Sequence, residues 1–421
     1  MAREYKDSGI EWIGDIPKEW EVRRIKSIFT ERTELSENGD ETLLSVSEYY
    51  GVANRKDKIE DGEFVSRAES LVGYKKCYEG DLVSNIMLAW KGSLGVTDID
   101  GIVSPAYCVY KPSKEIFPHY YHYLFRTSLF TSIFRLFSKG IIDSRLRLYS
   151  PYFYAISTLF PPLLEQQKIA EYLDKVCGEV DELVALQEKM IEELKAYKQS
   201  VITEAVTKGL NPNVPMKDSG IDWIGEVPEG WKVCKLKNVY QLLNGRAYLD
   251  PELLEEGKYR ILRVGNLFSS DKWYYSDMEL EDNKYCQSGD LLYGWSASIG
   301  PYIWEGEKVI YHYHIWKVLF SNNNLHFSYY LLYALTLAKQ RDMHGSAMQH
   351  LTKTNMDNSF IALPPLSEQQ SIASYLDTKC TEIDALIAIK QSKIDELKEY
   401  KKSVIYEYVT GKKEVVWIQK Q

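Results

Sequence analysis

The stretch PPLLEQQKIAEYLD at residues 161–174 returns as PPLSEQQSIASYLD at residues 364–377. The similarity continues without a gap through Thr207 in the first copy and Thr410 in the second, and more than half of the aligned positions are identical. A repeat of this size changes the interpretation of the whole fold. The chain is a tandem duplication.

A second block marks the beginning of each copy. KDSGIEWIGDIPKEW at residues 6–20 returns as KDSGIDWIGEVPEGW at residues 217–231, whereas the residues between the blocks share only scattered positions and differ in length. Each half is therefore a variable module inside a constant frame. The predicted parts are a frame segment at 1–20, a first module at 21–160, a long helix at 161–209, a linker with the second frame segment at 210–231, a second module at 232–363, and a second long helix with a tail at 364–421.

The constant block predicts one long helix in each half. Pro162 stands near the first turn and Glu165 close behind it, while Gly209 and Pro212 follow the predicted end, which is the arrangement expected at helix termini. At about 1.5 Å per residue such a helix spans roughly 65 Å, more than either module needs for its own core. We therefore predict a helical spacer that holds the modules apart.

Both helices carry the same apolar stripe, with steps of three, four and seven residues. This spacing is also typical of ordinary core faces, but its repetition in both halves favours two helices that pack on each other as a coiled coil. The predicted helix–helix contacts are Val180, Leu183, Met190, Leu194, Tyr197 and Val201 in the first helix, and Ile383, Leu386, Ile394, Leu397, Tyr400 and Val404 in the second.

The modules are predicted to have a mixed α+β fold and to be divergent copies. Gly80-Asp81 and Gly289-Asp290 indicate the same turn before a strand. Short apolar runs broken by Gly, Asn and Asp indicate strands, and helical spacing occurs over 121–137 and 329–339.

Composition is that of a folded soluble protein, with 45% hydrophobic and 26% charged residues and 32 tyrosines among 421 residues. No stretch resembles a membrane span or a signal peptide, so we expect a cytoplasmic protein without membrane contact. The six cysteines show no CxxC spacing, and reduced, buried thiols are expected.

The net charge of −9 does not favour DNA binding, which normally depends on Lys and Arg. However, residues 21–160 hold 18 basic and 18 acidic residues and residues 232–363 hold 14 of each, so both modules are neutral. A neutral module can still present a basic face. The excess acid lies in the frame segments and the first long helix, which are expected to contact protein.

This order of parts resembles the specificity subunits of type I restriction-modification enzymes. Pro161-Pro162-Leu163 with Glu165-Gln166-Gln167, and the same motif at 364–370, match the boundary between a target-recognition domain and its constant helix in that family. Segments 140–148 and 344–351 also resemble the ends of the family's recognition domains. The resemblance covers nearly the whole chain and implies a pseudo-twofold molecule, in which two antiparallel helices separate two recognition domains for the two halves of a split DNA site.

The resemblance also implies the partners. Double-stranded DNA would be the ligand, and modification (methyltransferase) subunits, in two copies, would dock on the constant helices together with restriction (endonuclease and translocase) subunits. S-adenosylmethionine, ATP and Mg would be used by those subunits, and this chain would bind no cofactor of its own.

Candidate DNA contacts come from polar loops, because base edges are recognised by Arg, Lys, Asn, Gln, Ser and Thr. Any one of them is also a plausible solvated surface residue. The candidates are Lys139, Ser144, Arg145 and Arg147 in the first module, and Arg246, Arg263, Ser346, Gln349, His350 and Lys353 in the second.

Catalysis and metal binding are not expected. His312-x-His314 and His119-x-x-His122 have ligand-like spacing, but neither has a neighbouring Cys or carboxylate set that would complete a site. The sequence contains no GxxxxGK[ST] phosphate loop and no Asn-Pro-Pro-aromatic methyltransferase motif. The frame tryptophans, Trp12, Trp20, Trp223 and Trp231, are expected to have packing or partner-contact roles. A non-catalytic coiled-coil scaffold without DNA specificity stays open as the alternative, although it would not explain two large diverged modules.

Overall fold

The computed structural model describes residues 3–58, 70–296, 298–342 and 351–415. The chain divides into two compact units, here called unit 1 (residues 1–187 and 392–421) and unit 2 (residues 188–391). Each unit contains one variable module, the first part of the long helix that follows this module, and the last part of the other long helix.

The strands of unit 1 are β1 (Tyr5–Asp7), β2 (Asp15–Pro17), β3 (Glu21–Arg24), β4 (Phe29–Arg32), β5 (Leu44–Ser47), β6 (Gly51–Asn54), β7 (Lys75–Cys77), β8 (Leu82–Ser84), β9 (Leu94–Val96), β10 (Gly101–Val103), β11 (Cys108–Pro112) and β12 (Ser157–Phe160). Those of unit 2 are β13 (Met216–Asp218), β14 (Glu226–Pro228), β15 (Lys232–Lys235), β16 (Tyr240–Asn244), β17 (Tyr259–Leu262), β18 (Tyr274–Ser276), β19 (Tyr285–Cys286), β20 (Leu291–Gly294), β21 (Gly300–Ile303), β22 (Val309–Tyr311), β23 (Ile315–Phe320) and β24 (Phe360–Leu363).

The two modules have the same sheet topology. A four-stranded antiparallel sheet has the order β4-β11-β8-β9 in unit 1 and β16-β23-β20-β21 in unit 2. Beside it, β17 pairs parallel with β22 in unit 2, and a parallel bridge joins Leu43 to Ile102 at the corresponding place in unit 1. The prediction that the modules are divergent copies is confirmed.

The Gly-Asp turn that the sequence predicts is present before β8 and β20. Gly80 and Gly289 have φ angles of 86° and 91°, in the left-handed region that favours glycine. The carboxylate that follows accepts a backbone hydrogen bond in each case, from the Tyr78 nitrogen to Asp81 at 2.9 Å and from the Gln287 nitrogen to Asp290 at 2.8 Å.

The shorter helices are α1 (Pro118–Phe125), α2 (Ser128–Phe137), α3 (Ser150–Ala155), α5 (Val264–Phe268), α6 (Leu325–Asp342) and α7 (Lys353–Asp357). The helical spacing over 121–137 is divided between α1 and α2. Thr127 is extended and its side chain accepts a hydrogen bond from the Phe130 nitrogen at 3.3 Å, so it begins a new helix as an N-cap.

The long helices are α4 (Leu163–Lys208) and α8 (Leu366–Val409). Gly209 follows α4 with a φ angle of 75°, and Gly411 follows α8 with a φ angle of 72°. Left-handed glycines at this position are a common way to end a helix.

The helix segments within each unit run antiparallel. In unit 1, Tyr172 packs against Tyr408 with ring centroids 4.5 Å apart, and Asp181 pairs with Lys401 at 2.7 Å. From the first contact to the second, the residue number rises in α4 and falls in α8, so the two helix segments are antiparallel. In unit 2, Lys198 pairs with Asp384 at 2.6 Å, and the later Ile202 shares a core with the earlier Leu376.

One main core in each unit joins the module to the frame and to both helix segments. In unit 1, Trp20 and Phe125 pack with Leu173 of α4 and Val409 of α8. In unit 2, Trp231 and Leu331 pack with Val206 of α4 and Leu376 of α8. Full burial of one such side chain contributes roughly 1.5–3 kcal/mol, so the helices are part of each unit's stable core. Within the described residues, no helix has the length and apolar character needed to cross a membrane.

Candidate nucleic-acid interface

The Pro-Pro-Leu-x-Glu-Gln-Gln motif attaches each long helix to the frame. The indole nitrogen of Trp20 donates to Glu165 at 2.8 Å, and that of Trp231 donates to Glu368 at 3.0 Å. Both tryptophans are buried. The packing role expected for these two residues is confirmed, and the repetition of the tryptophan and the glutamate has a structural reason.

The glutamine after each glutamate attaches the helix to the module. Gln166 is fully buried; its side-chain nitrogen donates to the Pro161 carbonyl at 2.8 Å, and its side-chain oxygen accepts from the Phe117 nitrogen at 2.8 Å. Gln369 makes the same pair of bonds, to the Pro364 carbonyl at 3.0 Å and from the Asn324 nitrogen at 2.9 Å.

The Tyr-Leu-Asp part of the motif adds a third repeated contact. Tyr123 donates to Asp174 at 2.6 Å, and Tyr330 donates to Asp377 at 2.9 Å. Burial and the neighbouring carboxylate raise the pKa of both tyrosines, so both phenols stay protonated donors. These contacts give each module the same attachment to its helix.

All four candidates of the first module lie on one exposed hairpin, here called the finger (residues 138–147). Lys139 and Arg147 exchange two backbone hydrogen bonds of 2.9 Å, which close the hairpin. A Cβ atom at Gly140 would lie 2.5 Å from the Arg145 carbonyl oxygen. The tight approach of the two strands of the finger therefore requires glycine at this position.

The basic side chains of the finger project towards solvent. Lys139 lies 4.7 Å from the Tyr152 ring centroid, and Arg147 donates to the carbonyls of Ser144 and Leu146. Arg145 is exposed and makes no ion pair or side-chain hydrogen bond with the rest of the described chain.

Candidate residues line a cavity in each module. In the first module this cavity is a groove of about 580 Å³, and in the second it is a pocket of about 310 Å³. The finger contributes Asp143, Ser144 and Arg147 to this groove, and the turn opposite contributes Met87, Leu88, Trp90 and Lys91. Arg135 closes one side, since it forms two hydrogen bonds with Asp143 and lies 4.8 Å from the Trp90 ring centroid.

The candidates of the second module are less uniform. Arg246 forms two hydrogen bonds with Glu252, at 2.7 and 3.0 Å, and lies 5.1 Å from the Tyr248 ring centroid. This carboxylate neutralises much of its charge. Arg246 is therefore a weaker candidate for a phosphate or base contact than Arg263.

Arg263 lines a pocket of about 310 Å³ with Lys272, Tyr274, His312 and His314. Both cations lie over the Tyr274 ring, at 5.2 Å for Arg263 and 5.0 Å for Lys272. Burial, followed by the neighbouring His314 and Arg263, lowers the pKa of His312 to about 4. The His312 imidazole is thus neutral at pH 7. Its Nδ1 accepts a hydrogen bond from the His314 backbone nitrogen at 3.4 Å, so the other ring nitrogen, Nε2, is the protonated donor.

Lys353 begins the short helix α7, whose first turn is capped by Thr352. The candidates Ser346, Gln349 and His350 lie outside the described residues.

The sequence did not point to several residues that surround the candidates. Lys272 and Tyr274 line the pocket of unit 2, whereas Trp90, Lys91 and Arg135 border the groove of unit 1. The available signal was an aromatic residue close to a basic residue in both places, Trp90-Lys91 and Lys272 to Tyr274. Such clusters are common on protein surfaces, so the signal alone is weak.

The residues of the predicted apolar stripe differ in their exposure to solvent. Val180, Ile383, Ile394 and Val404 are buried, and Met190, Leu194, Val201 and Leu397 are partly buried. Leu183, Leu386, Tyr197 and Tyr400 are about half exposed, at 46%, 46%, 50% and 52%. Ile191, which belongs to the same apolar stripe of the first helix, is also buried. The exposed members occupy matching positions in the two repeats.

The histidine pairs have structural environments. His122 is partly buried, accepts a hydrogen bond from the Val96 nitrogen at 3.2 Å, and has a pKa lowered to about 3 by burial. His119 lies 3.5 Å from Asp98. Among the described residues, no group of three or more His, Cys, Asp or Glu side chains is arranged to hold a metal ion. All six cysteines are unpaired and buried.

Comparison with known proteins identifies the family. Residues 17–196 and 228–399 match the family model of the type I restriction modification DNA specificity domain. These two matches span most of the chain and one variable module each. The chain belongs to this family.

Two relatives come from Methanocaldococcus jannaschii. The type I restriction enzyme MjaVIII specificity subunit is 26% identical over 431 residues, with 95% of this chain and 94% of that protein covered. The putative MjaX specificity subunit is 25% identical, with 96% of both chains covered. The EcoKI specificity subunit of Escherichia coli is 24% identical over 298 residues, or 66% of this chain and 62% of that protein.

Solved structures share the fold. A chain from work on complex assembly and conformational transition of the type I R-M system has a TM-score of 0.72 at 17% identity, with 94% of this chain and 98% of that chain covered. The HsdS subunit from Thermoanaerobacter tengcongensis has a TM-score of 0.53 at 19% identity, with the same shares covered. The predicted fold class, two mixed α/β modules with two long helices in a tandem repeat, is confirmed.

Proposed function

We propose that this chain recognises a split site on double-stranded DNA, with one module for each half, and directs modification and restriction subunits to that site. The main support for the proposal is that the two halves share the attachments of module to helix but differ in their exposed surfaces. Equivalent glutamine and tyrosine hydrogen bonds attach each module to its helix, whereas the exposed surfaces differ: a basic finger in unit 1 and a cationic pocket in unit 2. A common frame with two different polar surfaces suits a protein that recognises two different half-sites.

The partner subunits would dock on the long helices. Leu183 and Leu186 are about half exposed in α4, and their repeat equivalents Leu386 and Ile389 are similarly exposed in α8. Apolar side chains repeated on a surface favour protein contact, and a face that occurs twice favours two copies of one modification subunit.

The chemistry would belong to these partners. Methyl transfer from S-adenosylmethionine and cleavage driven by ATP and Mg would occur on the modification and restriction subunits, and this chain would act as a non-catalytic subunit that binds no cofactor. Its place of action would be the cytoplasm, where the DNA is.

An exchange of residues 21–160 for the corresponding module of another family member tests the proposal. The methylated motif, mapped by sequencing of host DNA, is expected to change in one half and stay the same in the other. A change in both halves would contradict recognition by independent modules.

The scaffold alternative makes a different prediction. A scaffold would purify as a homo-oligomer without a methyltransferase and would have no affinity for DNA at low salt. Co-purification with two copies of an adenine methyltransferase, together with a defined motif, would exclude the scaffold.

A further inference from the structure

The tip of the finger carries an apolar side chain in full contact with solvent. Ile141 is 99% exposed and the adjacent Ile142 is 54% exposed. The finger is nevertheless an ordered hairpin, closed by the two backbone bonds between Lys139 and Arg147. Packing within unit 1 therefore does not explain an isoleucine at this position.

The surroundings of this tip are basic. Residues 135–147 contain Arg135, Lys139, Arg145 and Arg147 but a single acidic residue, Asp143. This segment lies in a chain with 60 acidic and 51 basic residues overall, so its charge is opposite to that of the whole protein. The positive charge of the finger favours an anionic ligand. Because Ile141 is apolar, a ligand that covers it must also offer an apolar group.

Duplex DNA meets both requirements in its major groove. The C5-methyl of thymine is the apolar group on the base edges there, whereas the minor groove presents hydrogen-bonding groups and no methyl. A finger with cations on its two strands and an isoleucine at its tip can place the cations near the phosphates and the side chain at the groove floor.

We infer that Ile141 recognises a thymine methyl in the half-site contacted by the first module. This inference rests on the proposed function and adds a specificity-determining residue to it. Ile141 is not among the polar candidates because its side chain cannot form hydrogen bonds.

The test uses the full-length chain in complex with its methyltransferase partner. Selection from a random duplex pool first defines the bound sequence. Each thymine of the first half-site is then replaced singly by deoxyuridine, which lacks only the methyl group. At one of these positions, the replacement is expected to weaken binding of the wild-type complex about fourfold, because this is the contribution of one buried methyl group. The Ile141→Ala complex is expected to bind the thymine and uracil duplexes equally.

Two matched variants complete the design. Ile99→Ala removes a partly exposed isoleucine from the turn between β9 and β10 of the same module and is expected to retain the discrimination. Ile141→Leu retains an apolar side chain and is expected to retain part of it. The exposure of Ile141 means that neither substitution at this position removes core packing.

Three outcomes would overturn the inference while leaving the proposed function intact: a selected first half-site without an A·T pair, a wild-type complex indifferent to every uracil replacement, or full discrimination by Ile141→Ala. A wild-type complex without any sequence preference would overturn the proposed function and the inference together.

Discussion

Within each unit, equivalent contacts attach the module to the long helices, but the two units present different surfaces. Gln166 and Gln369 make matching hydrogen bonds, and Asp181–Lys401 and Lys198–Asp384 are matching ion pairs. By contrast, the finger has an apolar tip between cations, and the pocket around Arg263 is concave and contains a neutral imidazole.

The difference shows which positions can change independently. A residue whose bonds join module, frame and helix must keep its chemistry, because its loss leaves buried polar groups without partners. A residue on the finger or the pocket rim has few partners within its own unit. The surface can therefore diverge while the attachment stays constant.

The largest expected effect is on the attachment. Gln166→Leu and Gln369→Leu should each destabilise their own unit by about 2–4 kcal/mol, because two backbone groups lose a side-chain partner. Hydrogen exchange of each unit measures the loss. Gln167→Leu and Gln370→Leu change the neighbouring glutamines and should alter stability by less than about 0.5 kcal/mol. Unequal losses at Gln166 and Gln369 would break the equivalence of the two units.

The surfaces should respond separately to loss of a cation. Arg145→Ala should weaken binding by about 1–3 kcal/mol with loss of preference in the first half-site, and Arg263→Ala should do the same for the second, if each contacts a guanine. Arg246→Ala should have a smaller effect on DNA affinity, because Glu252 already binds its guanidinium. Affinity for duplexes altered in one half-site measures this, and a phosphate contact would instead reduce affinity for all sequences and flatten the salt dependence.

Acid should destabilise both units through their partly buried histidines. Burial lowers the pKa of His122 to about 3 and of His312 to about 4, from the ordinary value of 6.5. Because the unfolded chain takes up the proton first, stability that is complete above pH 6.5 is lost as pH falls towards the folded-state pKa. Each histidine should account for about 1–2 kcal/mol between pH 7 and pH 5.

Matched histidine variants separate the two contributions. His312→Gln should flatten the pH dependence of hydrogen exchange in unit 2 and leave that of unit 1 unchanged, whereas His122→Gln should do the reverse. Parallel pH profiles for wild type and variants would show that neither histidine is the source.

The smallest expected effect concerns the ion pairs between the helix segments. Both pairs are partly exposed, with side-chain exposures of 25% and 57% in Lys198–Asp384 and of 29% and 64% in Lys401–Asp181. A double-mutant cycle on either pair should give about 0.2–1 kcal/mol, decreasing at high salt. A coupling above 2 kcal/mol in one unit alone would show that the two helix contacts are not equivalent.

Repetition made the architecture predictable. The two copies of the Pro-Pro-Leu-x-Glu-Gln-Gln motif, with the glycine after Lys208, located α4 and α8 to within a few residues. The stripe was less predictable: Val180 and Ile383 are buried, but Leu183 and Leu386 are half exposed. Periodicity shows that positions are apolar, and it does not show whether a core or a docking face covers them.

The sequence by itself determined the duplication, the family resemblance and the long helices, because these depend on residues close together in the chain or on two copies of one pattern. The tertiary structure alone decided which charges are available. It pairs Arg246 with Glu252, leaves Arg145 exposed, and gathers Arg263, Lys272 and His312 from separate elements around one pocket. The physical reason is that electrostatic and solvation energies depend on distance in space and on burial. Separation along the chain determines neither.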